Sequence, residues 1–181
     1  MISIVYDVKK YRELLGRIVK EGDVVIEIGP HVGKSTLSYV ERAKLAVAVD
    51  LGEQSAAAFE RLGNKFPRLK FVLGDARSFG TIKEVMKLTS CCDVLAVDLG
   101  GGRFPDTVFK VWAAWSGVFK PRDSVIRNRG LAEFLQRAKI GDDSLKREFS
   151  DDGWLSVWGR ATPSKLKDQL GEFGFWVKVD D

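Results

Sequence analysis

The feature that most constrains this chain is Val24-Val-Ile-Glu-Ile28, an apolar run rich in β-branched residues that leads straight into a glycine turn, Gly29-Pro-His-Val-Gly33. A run of this kind suits a strand covered on both faces. Similar runs recur at 45–49, 69–73, 93–97 and 124–127. Between them lie stretches with apolar residues at helical spacing. Residues 8–20 place Val8, Tyr11, Leu14, Leu15, Ile18 and Val19 on one face. Residues 34–42, 53–66 (closed by Pro67), 82–88 and 130–139 read as further helices. Residues 105–119 read as an N-capped helix carrying Val108, Phe109, Val111, Trp112 and Trp115, stopped by Pro121. Further on, 142–149 is ambiguous, 154–158 reads as a strand, 163–173 as a helix and 175–179 as a final strand. Such alternation predicts an α/β fold, a doubly wound and mainly parallel sheet with helices on both faces. Right-handed crossovers then place a ligand at the carboxyl ends of the strands, where the strand order switches.

The chain has 181 residues and shows no repeat, low-complexity segment or linker, so a single domain spanning 1–181 is expected. A domain of about 150 residues already buries about 70% of its unfolded surface, so no disulfide or metal is needed to hold its core. The two cysteines, Cys91 and Cys92, are adjacent, and adjacent residues rarely have disulfide geometry. With one histidine besides, no metal site is expected. These features predict a reduced, cytoplasmic protein. The first residues lack a signal-peptide core, and no apolar run approaches the roughly 20 residues that span a bilayer. The net charge of +4 permits a polyanionic partner without demanding one.

Residues 24–36 form strand, glycine turn and helix start, a unit shared by many nucleotide sites. A P-loop needs four residues between its first glycine and Gly-Lys-Ser, and Gly29 and Gly33 enclose three. A dinucleotide fingerprint needs glycine at the first, third and sixth positions, and here the third is His31 and the sixth Lys34. What remains is acid-x-Gly-x-x-x-Gly. This segment resembles the first motif of class I S-adenosylmethionine (SAM)-dependent methyltransferases, with Glu27, Gly29 and Gly33 matching and His31 in place of the middle glycine.

The resemblance extends over residues 21–129 and implies a seven-stranded, Rossmann-like sheet with SAM as cofactor. Asp50 ends the second of these runs, where an acid can accept two hydrogen bonds from ribose hydroxyls. Gly74-Asp75-Ala76 follows the third, where the family has an acid that accepts from the adenine amino group. Leu51 and Ala76 would then lie against the adenine. Either acid alone also fits a turn or a helix cap; together, after successive strands, they are far more specific. The fourth run ends Asp98-Leu-Gly-Gly-Gly-Arg103, which in the family faces the transferable methyl. The Asn-Pro-Pro-Tyr signature of amino-methylating members is absent, and so is a Pro-Cys pair in this position.

Methyl transfer from a sulfonium is an in-line displacement that a protein catalyses largely by positioning. A base helps only where the acceptor must lose a proton, and Asp98 is the candidate, with a structural capping role as its alternative. Arg127 and Arg129 stand where a ribose-methylating enzyme of the heat-shock type has a lysine, a partial echo. His31 reads as a pocket wall, Lys34 as a solvated helix residue, and the five tryptophans as core, with base stacking the alternative for a few. Basic residues crowd 9–20 and 120–139, so RNA or another anionic acceptor stands beside ordinary surface charge as a reading. The function classes are therefore a SAM-dependent methyltransferase, a non-catalytic SAM-binding accessory module of the same fold, and an NAD-dependent oxidoreductase, the last disfavoured by His31 and Lys34.

Overall fold

In the computed structural model, which describes residues 1–142 and 149–155, six strands build one sheet. The elements in chain order are β1 (Ile2–Val5), α1 (Val8–Ile18), β2 (Val24–Ile28), β3 (Leu45–Asp50), α2 (Glu53–Lys65), β4 (Leu69–Leu73), α3 (Phe79–Met86), β5 (Val94–Val97), α4 (Pro105–Phe119), β6 (Asp123–Arg127) and α5 (Arg129–Arg137). The spatial order is β1-β6-β5-β2-β3-β4, and every pair is parallel. Progression is outward from β2 through β3 to β4, and then outward from β5 on the other side. The switch therefore falls between β2 and β5, where the connections diverge and leave a crevice at the carboxyl ends.

Alternating side chains divide the sheet between two cores. Ile26, Ile28, Val47, Val49, Leu95 and Val97 face α3 and α4, where Trp112, Trp115 and Phe119 are buried. Val25, Ala46, Ala48, Ala96 and Val125 face α1 and α2. The alanines on that side make room for Tyr11, Tyr39 and Phe59. Helix α1 starts where the Asp7 side chain accepts from the Lys9 and Lys10 amides at 2.8 and 2.9 Å, and it buries Tyr11 and Leu15, one turn apart. The indoles also find polar partners: Trp112 donates to Ser124 Oγ at 2.9 Å and Trp115 to the Ala76 carbonyl at 2.7 Å. Trp112 and Trp115 are thus core residues. Trp158 and Trp176 lie outside the described residues.

Several expectations need correction. Strand β1 goes unread in the sequence because it is four residues long and, among the described residues, pairs only with β6, Ile2 opposite Ser124. Residues 34–42 do not form a helix but one 3₁₀ turn, Thr36–Ser38. Ser, Thr and β-branched residues are weak helix formers, and here Thr36 and Tyr39 are drawn to Glu27 while the Ser38 hydroxyl donates to the Ser35 carbonyl at 2.7 Å. Helix α3 begins at Phe79 rather than 82, capped by Ser78, and α5 at Arg129, capped by Asn128. Helix α4 has Pro105 at its first turn but no side-chain cap, its N-cap being Phe104 in a left-handed conformation. Among the described residues the sheet has six strands, and of the seven expected the last lies outside them. The expected elements at 163–173 and 175–179, and most of those at 142–149 and 154–158, fall outside the described residues. No helix among the described residues is long and apolar enough to cross a membrane.

Candidate functional site

The glycine turn after β2 closes with three left-handed residues, Gly29 (φ 76°), His31 (φ 54°) and Gly33 (φ 79°). A Cβ on Gly29 would stand 2.2 Å from the Asp98 carbonyl oxygen, and one on Gly33 would meet the Leu62 side chain at 2.5 Å. Gly29 therefore needs glycine for space as well as for φ, whereas at Gly33 the leucine end can shift and the positive φ is the constraint. His31 takes the same backbone conformation with a side chain present, which histidine tolerates better than most residues. The turn thus keeps its shape where the middle glycine is missing.

Glu27 lies beneath this turn and does not line the crevice. It is 1% exposed and accepts from Thr36 Oγ1 at 2.6 Å and from the Tyr39 hydroxyl at 2.7 Å. Burial raises its carboxyl above the usual range, against the pull of the Ser35, Thr36 and Tyr39 hydroxyls. Its structural effect is to tie residues 35–39 to β2.

The two downstream acids differ in what they have left to offer. Asp50, at the end of β3, accepts one bond on each oxygen, from the His31 amide at 3.0 Å and the Gly52 amide at 2.9 Å. One lone pair per oxygen remains free for paired hydroxyls. Asp75 is filled by Arg77: its Oδ1 accepts from the Arg77 amide and Nε, both at 2.9 Å, and its Oδ2 from Nε at 3.0 Å and Nη2 at 2.7 Å. Burial would raise this carboxyl, but the Arg77 bonds outweigh it and hold Asp75 below the usual carboxylate range.

Asp98 follows β5 and is clasped by Arg127, whose Nη1 donates to both of its oxygens. Arg127 Nε also donates to the Tyr6 carbonyl at 3.1 Å, linking β6 to the chain between β1 and α1. Burial raises the Asp98 carboxyl, and Arg127 with Arg12 pulls it back only in part. Next come Gly100, Gly101 and Gly102, all with positive φ. The first leaves room for the Phe104 ring, which would lie 2.9 Å from a Cβ there. Phe104 is itself left-handed (φ 57°), 57% exposed, and stacked under Arg103 at 5.6 Å.

These groups surround one cavity of about 670 Å³ at the carboxyl ends of the strands. Gly29, His31, Asp50, Leu51, Asp75, Ala76 and Asp98 all line it, whereas Glu27 and Gly33 do not. Its size is that of a small-molecule or cofactor site. The sequence reading missed Tyr11, Arg12, Arg77 and Phe104 as lining residues. Arg77 was discoverable, since an arginine two residues after an acid can clasp it; Tyr11 and Arg12 were hidden in a helix read only for its apolar face. The basic residues divide. Arg12, Arg127 and Lys34 line the cavity, while Arg122 pairs with Asp23 and Asp123 at the opposite ends of the strands. The residues lining the cavity suit SAM: a glycine whose Cβ would strike backbone, an acid with free paired acceptors, and apolar Leu51 and Ala76.

No protein-family model and no curated protein matches this sequence. Solved structures do. A dimethyladenosine transferase from Plasmodium falciparum is 17% identical over 78% of this chain and 49% of its own, with a TM-score of 0.55. An rRNA methylase from Streptococcus thermophilus is 12% identical over 72% of this chain and 78% of its own, with a TM-score of 0.53. A phosphoethanolamine N-methyltransferase from Haemonchus contortus, solved with phosphoethanolamine and S-adenosylhomocysteine, is 12% identical over 80% of this chain and 30% of its own, with a TM-score of 0.51. The chain thus spans about half the length of the first and under a third of the last. At these identities the likeness concerns architecture, and it agrees with the strand order and the crevice: the chain has the Rossmann-like α/β fold of the class I SAM-dependent methyltransferases.

Proposed function

We propose that this protein is a SAM-dependent methyltransferase. The observation that carries the reading is Asp50, fixed by two backbone amides yet left with one free acceptor position on each oxygen, facing the cavity that Gly29 opens. That geometry suits the vicinal hydroxyls of a ribose. Leu51 and Ala76 supply apolar surfaces for the adenine, and Asp75 supplies an acceptor for its amino group once Arg77 gives way. The cofactor, when bound, brings an activated methyl group on a sulfonium. The protein's share is then orientation: the glycine turn holds the amino-acid tail, Asp50 the ribose, and the loop from Leu99 to Phe104 borders the acceptor.

Asp98 serves this chemistry as an anchor rather than as a base. Both its oxygens are engaged by Arg127, so accepting a further proton would break that clasp. The acceptor atom is accordingly one that carries a free lone pair without deprotonation. The same observation favours a second reading, a non-catalytic SAM-binding module. RNA is the acceptor class we favour. Phe104 under Arg103 and Tyr6 under Arg129 (5.3 Å) offer stacking faces flanked by cations, and one protein of like fold is, by its name, an rRNA methylase.

Calorimetry with SAM, S-adenosylhomocysteine and NAD tests the cofactor reading. SAM is expected to bind, and Asp50→Ala to weaken it at least tenfold; binding of NAD instead overturns the assignment. A methyl-donor assay against RNA, protein and small-molecule pools separates enzyme from accessory module. RNA binding, where present, is expected to weaken steeply with salt.

A further inference from the structure

Three buried polar atoms have no hydrogen-bond partner among the described residues: the Tyr11 hydroxyl, Arg12 Nε and Glu27 Oε1. The first two belong to neighbouring residues of α1, and both residues line the cavity. An unsatisfied buried donor costs about 1–3 kcal/mol, so two side by side point to a group that completes them from outside the chain. Tyr11 is 1% exposed. Burial, then the fields of Glu27 and Asp98, push its hydroxyl well above the usual tyrosine range, so it keeps its proton and acts as a donor. Arg12 is a permanent cation. Asp98 lies within reach of its field but is already clasped by Arg127, and Arg12 makes no salt bridge among the described residues. Glu27 Oε1, an acceptor, lies beneath the glycine turn and outside the cavity lining, although its charge reaches the Tyr11 hydroxyl.

We propose that Tyr11 and Arg12 form an oxyanion subsite at the Asp98 end of the cavity, which receives a carboxylate or phosphate oxygen of a bound molecule. A cation and a buried hydroxyl donor lining the same cavity suit an anionic oxygen better than a neutral carbonyl, because charge-assisted bonds are about twice as strong. The subsite rests on the reading of the cavity as a SAM site and deepens it. The oxyanion has two sources: the carboxylate of the cofactor's amino-acid tail, or an acid group of the acceptor.

Calorimetry on Arg12→Met and Tyr11→Phe, which keep the stem and the ring, decides between them, with circular dichroism checking that each variant is folded. The probes are S-adenosylhomocysteine, its analogue lacking the carboxylate, and inorganic phosphate titrated onto protein saturated with S-adenosylhomocysteine. If the oxyanion is the cofactor's, wild type prefers the carboxylate form at least tenfold, Arg12→Met abolishes the preference, and Tyr11→Phe reduces it severalfold. If it is the acceptor's, both variants bind S-adenosylhomocysteine as wild type does, and saturable phosphate binding is lost in Arg12→Met. Absence of both signals in wild type, or their persistence in both variants, overturns the subsite. Should wild type bind no S-adenosylhomocysteine, the cofactor reading fails separately. The subsite is then judged by phosphate on the ligand-free protein: loss of its binding in Arg12→Met upholds the subsite, and equal or absent binding overturns it.

Discussion

Arg127 Nη1 stands 3.0 Å from each carboxylate oxygen of Asp98, and both side chains are about one-sixth exposed. Replacing Arg127 by Met leaves a shielded carboxylate without its cation. The expected cost at pH 8 is about 3 kcal/mol, read by urea unfolding. Burial already raises the Asp98 carboxyl, and loss of Arg127 raises it further. The native variant then binds a proton that the unfolded chain does not, so its stability rises as pH falls toward the unfolded carboxylate pKa of about 3.9. The deficit at pH 5 is expected to be smaller than at pH 8; a deficit independent of pH would show that Asp98 does not carry the charge.

Arg77 competes with any ligand for Asp75. It occupies every acceptor position of that carboxylate, so an adenine amino group must displace it. Arg77→Met is expected to strengthen S-adenosylhomocysteine binding by about three- to tenfold, near 1 kcal/mol. Asp75→Asn in wild type is expected to change little. Weaker binding in Arg77→Met would mean that the guanidinium itself touches the ligand.

His31 and Gly29 predict opposite outcomes within one turn. His31→Gly relieves a left-handed non-glycine residue, worth about 1 kcal/mol before the extra freedom of the unfolded chain is subtracted. A rise in Tm of up to about 2–4 °C is expected. Gly29→Ala drives a methyl group against the Asp98 carbonyl and is expected to lose about 2–4 kcal/mol. Equal tolerance of both changes in a thermal melt would contradict the loop geometry.

Asp23 predicts the acid limb. Arg122 Nη1 and Nη2 donate to its two oxygens at 3.1 and 2.9 Å, and the Lys20 amide donates at 2.8 Å. Burial would raise this carboxyl, but Arg122 and Lys20 together outweigh burial and hold it below the ordinary value. Its stabilisation is thus full above the unfolded pKa of about 3.9 and is lost as pH falls through the lower folded value. Arg122 is about a third exposed and screened accordingly, so Asp23→Asn is expected to cost about 1–2 kcal/mol at pH 7. The gap to wild type should shrink near pH 3.

Much of the site was legible because it is local to strand ends. A buried apolar run places whatever follows it at the carboxyl edge, so Asp50, Asp75 and Asp98 arrive there together. Relations across the sheet were not legible. Arg127 meets Asp98 because β5 and β6 are neighbours, which local spacing does not encode. Tyr11 and Arg12 reach the cavity because β1 docks on β6 and leads directly into α1. The expected helix at 34–42 failed for a related reason: its hydroxyls satisfy Glu27, and that demand overrides the apolar period.

The position of β1 has a consequence for how this chain is made. Its partner strand β6 is synthesised about 120 residues later, as Ile2 lies opposite Ser124. At about 5–20 residues per second, β1 waits roughly 6 to 25 s on the ribosome before its ladder can close. Until then Ile2, Ile4 and Val5 lack their ladder partners, and α1 lacks its packing against β6. The cavity is thus a late product of translation, completed only after its glycine turn and two of its acids have long emerged.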